Sequence, residues 1–157
     1  MTEVPEKTDV PEIWGRAYTA PGITVYYSIK RCIHFAACVR GLPDVFDSER
    51  KPWIMADKAS PDEVAEVVRR CPTGALHYVL DDGPAEDADQ PTTVDVRKNG
   101  PYFVRGDLAI ETPTGEVRDT RAALCRCGGS SNKPFCDATH RSNGFTAGGG
   151  ATMINTN

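Results

Sequence analysis

The chain lacks any apolar run approaching the roughly 18–20 residues of a membrane span. Its opening, MTEVPEKTDVPE, has neither the basic start nor the apolar stretch of a signal peptide. No basic run or basic–aromatic patch is present to grip nucleic acid, and no charge pattern suits a membrane surface. Also missing are a nucleophile–base pair, a phosphate loop and a dinucleotide fingerprint. These absences set the expectations: a cytoplasmic protein, not an enzyme, with no nucleic-acid or membrane partner. What the chain does have is six cysteines, 14 glycines and 12 prolines in 157 residues. That length permits one ordinary domain or two small ones, and so much glycine and proline implies a backbone rich in turns.

Charge divides the chain. Residues 1–80 carry a net charge of −1, residues 81–90 carry −5, and residues 91–157 carry +2. DDGPAEDADQP (81–91) has two prolines and neither aromatic nor β-branched residues, so it reads as an acidic, solvated linker. Three cysteines precede it and three follow. The domain reading is 13–80, linker 81–91, 92–146, and a flexible tail over 147–157.

In the first half, ITVYYSI (23–29) has strand composition, and PDVFD (43–47) and PWIMAD (52–57) read as turn and short strand. Ser60-Pro61-Asp62-Glu63 is a helix start, with an N-cap serine, proline at the first position and acids in the first turn. Val64, Val67 and Val68 extend it as an apolar stripe ending near Cys71-Pro72, and ALHYVL (75–80) reads as a closing strand. In the second half, short strands are expected over 92–97 and 102–111, with turns at 98–101 and 113–116, before TRAAL (120–124) leads into cysteines.

The later cysteines form Cys125-x-Cys127-x8-Cys136-x3-His140, three thiolates and one imidazole. A Cys125–Cys127 disulfide would close a small strained ring, and clustered cytosolic cysteines read as metal ligands more often than as disulfides. Zinc accepts a Cys₃His set, and spacing alone leaves zinc and an iron–sulfur cluster level. Local residues favour the cluster. Gly128 to Asn132 offer free N–H groups of the kind that stabilise sulfides. Pro134 fixes the chain before Phe135, which can shield one side. Asp137 is placed to cap a short helix over 138–142, whose first turn would bring Cys136 and His140 to one site.

This stretch resembles the CDGSH, or mitoNEET-type, iron–sulfur domain, whose signature is C-x-C-x2-[S/T]-x3-P-x-C-D-G-[S/A/T]-H. Cys125, Cys127, Ser130, Pro134, Cys136, Asp137, Thr139 and His140 stand in register, and Ala138 replaces the family glycine. The resemblance extends over roughly residues 92–146. It implies a [2Fe–2S] cluster on Cys125, Cys127, Cys136 and His140. Single-motif CDGSH chains resemble obligate dimers, so it also leaves open a homodimer through this domain.

The earlier group, Cys32-x5-Cys38-x32-Cys71-Pro72, matches a bacterial ferredoxin run whose middle cysteine is replaced by Phe35. Three unrelated buried cysteines are the alternative. The stretch RCIHFAACVRGLPDVFD…KPWIMAD…VRRCPTGALHY resembles the divergent mono-cluster ferredoxin domain found fused to CDGSH domains. That resemblance implies a cuboidal cluster on Cys32, Cys38 and Cys71. Three thiolates suit [3Fe–4S]; [4Fe–4S] would need a fourth ligand, for which His34 is the nearby candidate. His77 is assigned no role.

The expected fold is α+β: a small ferredoxin-like α+β domain followed by a small β-rich CDGSH iron–sulfur domain. The expected function is a two-cluster ferredoxin-like electron carrier, passing electrons from a reductase to an acceptor such as an oxygenase. A redox or pH sensor, or a donor of clusters to apo-proteins, is the alternative, and a zinc-binding structural module is a more distant one.

Overall fold

In the computed structural model, residues 11–83 and 86–149 are described. The fold is mixed α and β, built on two antiparallel three-stranded sheets, each with its own surroundings. The chain separates into two compact units. The first takes the chain to Ile29, His34–Cys71 and Ala75–Asp87; the second takes Lys30–Ile33, Pro72–Gly74 and the chain from Ala88 onward. The division at 87/88 falls inside the acidic stretch 81–91. The short segments 30–33 and 72–74, which flank Cys32 and follow Cys71, group with the second unit.

In the first unit, β1 (Arg16–Ala20), β2 (Ile23–Tyr27) and β3 (Leu76–Leu80) lie in that order. Tyr18 pairs with Val25, and Val25 with Tyr78. Strand β1 is an addition to the sequence reading. Its hairpin is made by Pro21-Gly22, with Gly22 at φ +88, the left-handed position that a Pro-Gly turn requires. The stretches 43–47 and 52–57 pair as an isolated bridge, Phe46 to Ile54, and not as strands of a sheet. Helix α1 spans Ala37–Gly41, and helix α2 spans Pro61–Arg69. The predicted start of α2 is present in full. The Ser60 hydroxyl accepts from the Glu63 backbone at 3.2 Å, and Glu63 reaches back to Ser60. Val64, Val67 and Val68 face an apolar core with Ile23, Val25, Val45, Phe46, Ile54 and Leu76. Both tryptophans of the chain belong to this unit. Trp14 stacks on the buried His77 ring at 4.3 Å, and Trp53 lies edge-on to Tyr27 at 4.8 Å. His77 Nδ1 lies 2.9 Å from Glu86 Oε2, both side chains being buried, so Glu86 is packed although it belongs to the acidic stretch.

In the second unit, β4 (Thr93–Val96), β5 (Tyr102–Thr112) and β6 (Gly115–Leu124) form a meander. The two strands expected over 102–111 are one long strand. Its register shifts between Arg105 and Leu108, where Gly106 takes φ +155, a bulge that bends the strand without ending it. Of the tail expected over 147–157, Ala147 exchanges two hydrogen bonds with Asn99. Gly148 accepts from Arg126. Residues 150–157 lie outside the described residues.

Candidate metal centres

The C-terminal cysteine loop is assembled by main-chain pairing at the end of β6. Leu124 bridges Phe135. The Cys125 N–H donates to the Pro134 carbonyl at 2.8 Å, and the Cys136 N–H donates to the Ala123 carbonyl at 2.8 Å. This crossing lays Cys125 beside the strand that carries Cys136, although the two are eleven positions apart in sequence. Ser130 braces the intervening loop, donating through its hydroxyl to the Phe135 carbonyl and accepting from the Asn132 N–H. Phe135 and Cys136 are buried.

The four predicted donors are drawn up as two pairs. Cys125 Sγ stands 3.9 Å from Cys127 Sγ, and Cys136 Sγ stands 3.5 Å from His140 Nδ1. Tetrahedral bonds of about 2.3 Å to sulfur and about 2.0 Å to nitrogen place two thiolates about 3.8 Å apart and a thiolate–imidazole pair about 3.5 Å apart. Each pair therefore has the spacing of two ligands on one tetrahedral metal. Among the described residues, no three His, Cys, Asp or Glu side chains close on a single ion. Two sulfurs also accept backbone N–H groups, from Gly129 to Cys127 and from Ala138 to Cys136, each at 3.4 Å. Such donors favour sulfur carrying negative charge.

The electrostatics follow the geometry. The Gly129 N–H holds the Cys127 thiol below its ordinary range. Burial pushes the Cys136 thiol up, and the nearby Cys125 and Cys127 push the same way, as convergent thiols must. Burial and the adjacent Arg141 hold the His140 ring below its ordinary range, favouring the neutral imidazole that has a lone pair to offer. Nδ1 faces Cys136, so a neutral ring that offers its lone pair there carries its proton on Nε2.

The helix expected over 138–142 is instead a single 3₁₀ turn, Thr139–Arg141. Asp137 does not cap it as an N-cap. Its Oδ1 accepts from the Thr139 N–H at 3.1 Å and from the Thr139 hydroxyl, while Oδ2 accepts from the Ser131 N–H at 2.8 Å. These bonds, the Thr139 hydroxyl first, hold the Asp137 carboxyl below the ordinary carboxylate range. Asp137 thus ties the two ends of the loop together. Ala138 sits at φ +72, a left-handed conformation in which a Cβ is strained by about 1–2 kcal/mol.

The N-terminal donors are placed differently. Cys38 lies in the first turn of α1, and Cys71 follows α2 with its N–H donating to the Val68 carbonyl at 3.1 Å. Both pack against the apolar core of the first unit. Cys32 is half-buried in segment 30–33 of the second unit. His34, the candidate fourth ligand, is exposed. His34 and Ala36 take φ +57 and φ +68.

Residues 18–81 match the family described as "Divergent 4Fe-4S mono-cluster", and residues 99–141 match "Iron-binding zinc finger CDGSH type". The chain belongs to the divergent 4Fe-4S mono-cluster family, with a CDGSH-type iron-binding domain following in the same polypeptide, and is an iron–sulfur protein. Over 63 residues it is 44% identical to the Escherichia coli K12 protein "Uncharacterized protein YjdI", which spans 40% of this chain and 83% of that relative. The protein of the same name from Escherichia coli O157:H7 matches with the same identity and coverage. No described helix is long and apolar enough to cross a membrane.

Sequence reasoning missed Arg31, Asn132 and Arg141, which hold segment 30–33 within the second unit. Asn132 donates to the Lys30 carbonyl, Arg31 reaches Asp119, and Arg141 donates to the Ile33 carbonyl. Their partners lie 88 to 108 positions away, so no local pattern announces them.

Proposed function

We propose that the protein is a cytoplasmic two-cluster electron carrier, not an enzyme, which takes electrons from a reductase and delivers them to an acceptor such as an oxygenase. The observation that carries this reading is the pairing of Cys125 with Cys127 and of Cys136 with His140 at spacings suited to two tetrahedral metals. These four would hold a [2Fe–2S] cluster, and Cys32, Cys38 and Cys71 would hold the second. These are the three cysteines within the 18–81 match, which suits [3Fe–4S]. The family's own description names four irons, and His34 is the candidate for the missing ligand. Bound clusters supply one-electron couples. The chain's part is to donate N–H groups to the sulfurs, bury Cys136 and hold His140 neutral, with a lone pair on Nδ1 and the ring proton on Nε2. The net charge of −4 suits a basic face on each redox partner, an attraction weakened by salt.

EPR with iron, sulfide and zinc analysis on anaerobically purified protein is the direct test. About five irons per chain, an oxidised three-iron signal and a [2Fe–2S] signal on reduction are expected. About six irons with no oxidised signal would move the first centre to [4Fe–4S]. Zinc with little sulfide would replace the carrier with a structural module.

The single imidazole favours a second reading, as a pH or redox sensor or a donor of clusters to apo-proteins. Protonation can detach an imidazole, which makes His140 the acid-labile corner. His140→Cys is expected to slow iron release in mild acid and to lower the potential. The same pH dependence of release in the variant would remove this corner from the account. Transfer of iron and sulfide to an apo-ferredoxin separates the donor role from simple electron transfer.

A further inference from the structure

Segment 30–33 carries Cys32, yet it is held by β6 and by the loop that carries Cys136 and His140. Arg31 is the anchor. Its Nη1 lies 2.6 Å from Asp119 Oδ2, with the two side chains 1% and 0% exposed. Nη2 donates to the Arg121 carbonyl at 3.0 Å, and the guanidinium lies 4.4 Å over the Phe135 ring, next to Cys136. Gly74, three residues beyond Cys71, leaves space for this side chain: a Cβ there would collide with the Arg31 guanidinium and the Arg121 carbonyl. On one side of Arg31, the Asn132 side chain donates to the Lys30 carbonyl at 3.3 Å. On the other, Arg141, the neighbour of His140, donates to the Ile33 carbonyl. The carbonyls two before and one after Cys32 are both held by the C-terminal cysteine loop.

We propose that Arg31, Asn132 and Arg141 are positioning residues through which a metal centre on the C-terminal cysteine loop orders the backbone that presents Cys32. The inference rests on the two-cluster reading above. When Cys136 and His140 are fixed by a bound metal, Phe135 and Arg141 are fixed with them, and so is the backbone that presents Cys32. When Cys32 is fixed, the loop gains the same order in return, since coupling between sites is reciprocal. A buried charge pair of this kind breaks at high cost if one partner is removed, which makes Arg31 an all-or-none grip. The bond from Asn132 is exposed and adjustable.

The test uses the full chain, purified anaerobically with its iron, as wild type and as Arg31→Met, Asn132→Ala and Cys136→Ala. Two quantities are read: amide hydrogen exchange across residues 30–33, and iron release to a chelator from the C-terminal centre, followed by EPR. Arg31→Met is expected to raise both at least about fivefold, the lower end of ordinary coupling between linked sites, and Cys136→Ala to raise the exchange by a similar factor. Asn132→Ala is expected to shift both in the same direction by a smaller factor. If Arg31→Met does not fold, Asn132→Ala together with Arg141→Gln carries the test. Exchange and release within about twofold of wild type in the folded variants would overturn the proposal while leaving the two-cluster reading intact. Wild-type protein lacking iron and sulfide would overturn both at once.

Discussion

The two cysteine regions are stabilised by different physics. Cys38 and Cys71 are held by helices whose apolar faces share the core around Phe46, Val64 and Val68. Cys125, Cys127, Cys136 and His140 are held by hydrogen bonds: the strand crossing at Leu124 and Phe135, the Ser130 brace and the Asp137 tie. Packing is non-directional and fixes a thiol through the whole element that carries it. Hydrogen bonds are directional and place individual donors to within a few tenths of an ångström. The C-terminal loop can therefore set four donors in sixteen residues with little apolar material, at the expense of a strained alanine.

The difference predicts separable failures. The largest expected effect is Phe46→Ala, which empties a fully buried site and should destabilise the first unit by about 3–5 kcal/mol. Denaturant unfolding with hydrogen exchange resolved by residue would show it; equal loss of protection in both units would erase the distinction drawn here. Ser60→Ala removes the cap of α2 and should cost about 1 kcal/mol, read by the same unfolding curve. Ala138→Gly works in the opposite direction. It relieves the left-handed strain and should stabilise the C-terminal loop by about 1 kcal/mol. A lower midpoint in that variant would mean that the alanine methyl makes a contact worth more than the strain.

The smallest effect is a pH dependence. The folded Asp137 carboxyl is held below its ordinary range, so its contribution is fully present above the ordinary carboxylate pKa. It is lost as pH falls through the lowered value, when the proton displaces the bonds to Ser131 and Thr139. Melting of the C-terminal loop between neutral and acid pH should lose this component in Asp137→Asn. An identical profile in the variant would assign the acid sensitivity elsewhere.

The sequence was most legible where local chemistry decided the outcome. Ser60-Pro61 set the start of α2, and the C-x-C…C-x3-H spacing picked out four residues that the structure draws into two close pairs. Legibility failed in three physical situations. Arg16–Ala20 has too little β-branched character to read as a strand by itself, and is made one by the Pro21-Gly22 turn and pairing with β2. Ala138 reads as a helix residue by propensity, yet the hydrogen bonds around Asp137 hold it at positive φ. The grip on segment 30–33 joins residues about a hundred positions apart, and nothing near Arg31 in sequence marks it as an arginine that will be buried.

Both tryptophans lie in the first unit, Trp14 against His77 and Trp53 against Tyr27. The second unit contains no indole. Intrinsic fluorescence excited at the red edge of protein absorption is thus an optical label for one half of the molecule. With the first centre removed by Cys38→Ser and Cys71→Ser, the visible colour of a centre on Cys125, Cys127, Cys136 and His140 would label the other. A melt that dims the emission before the colour fades would reveal the order in which the halves come apart, with no dye or tag attached.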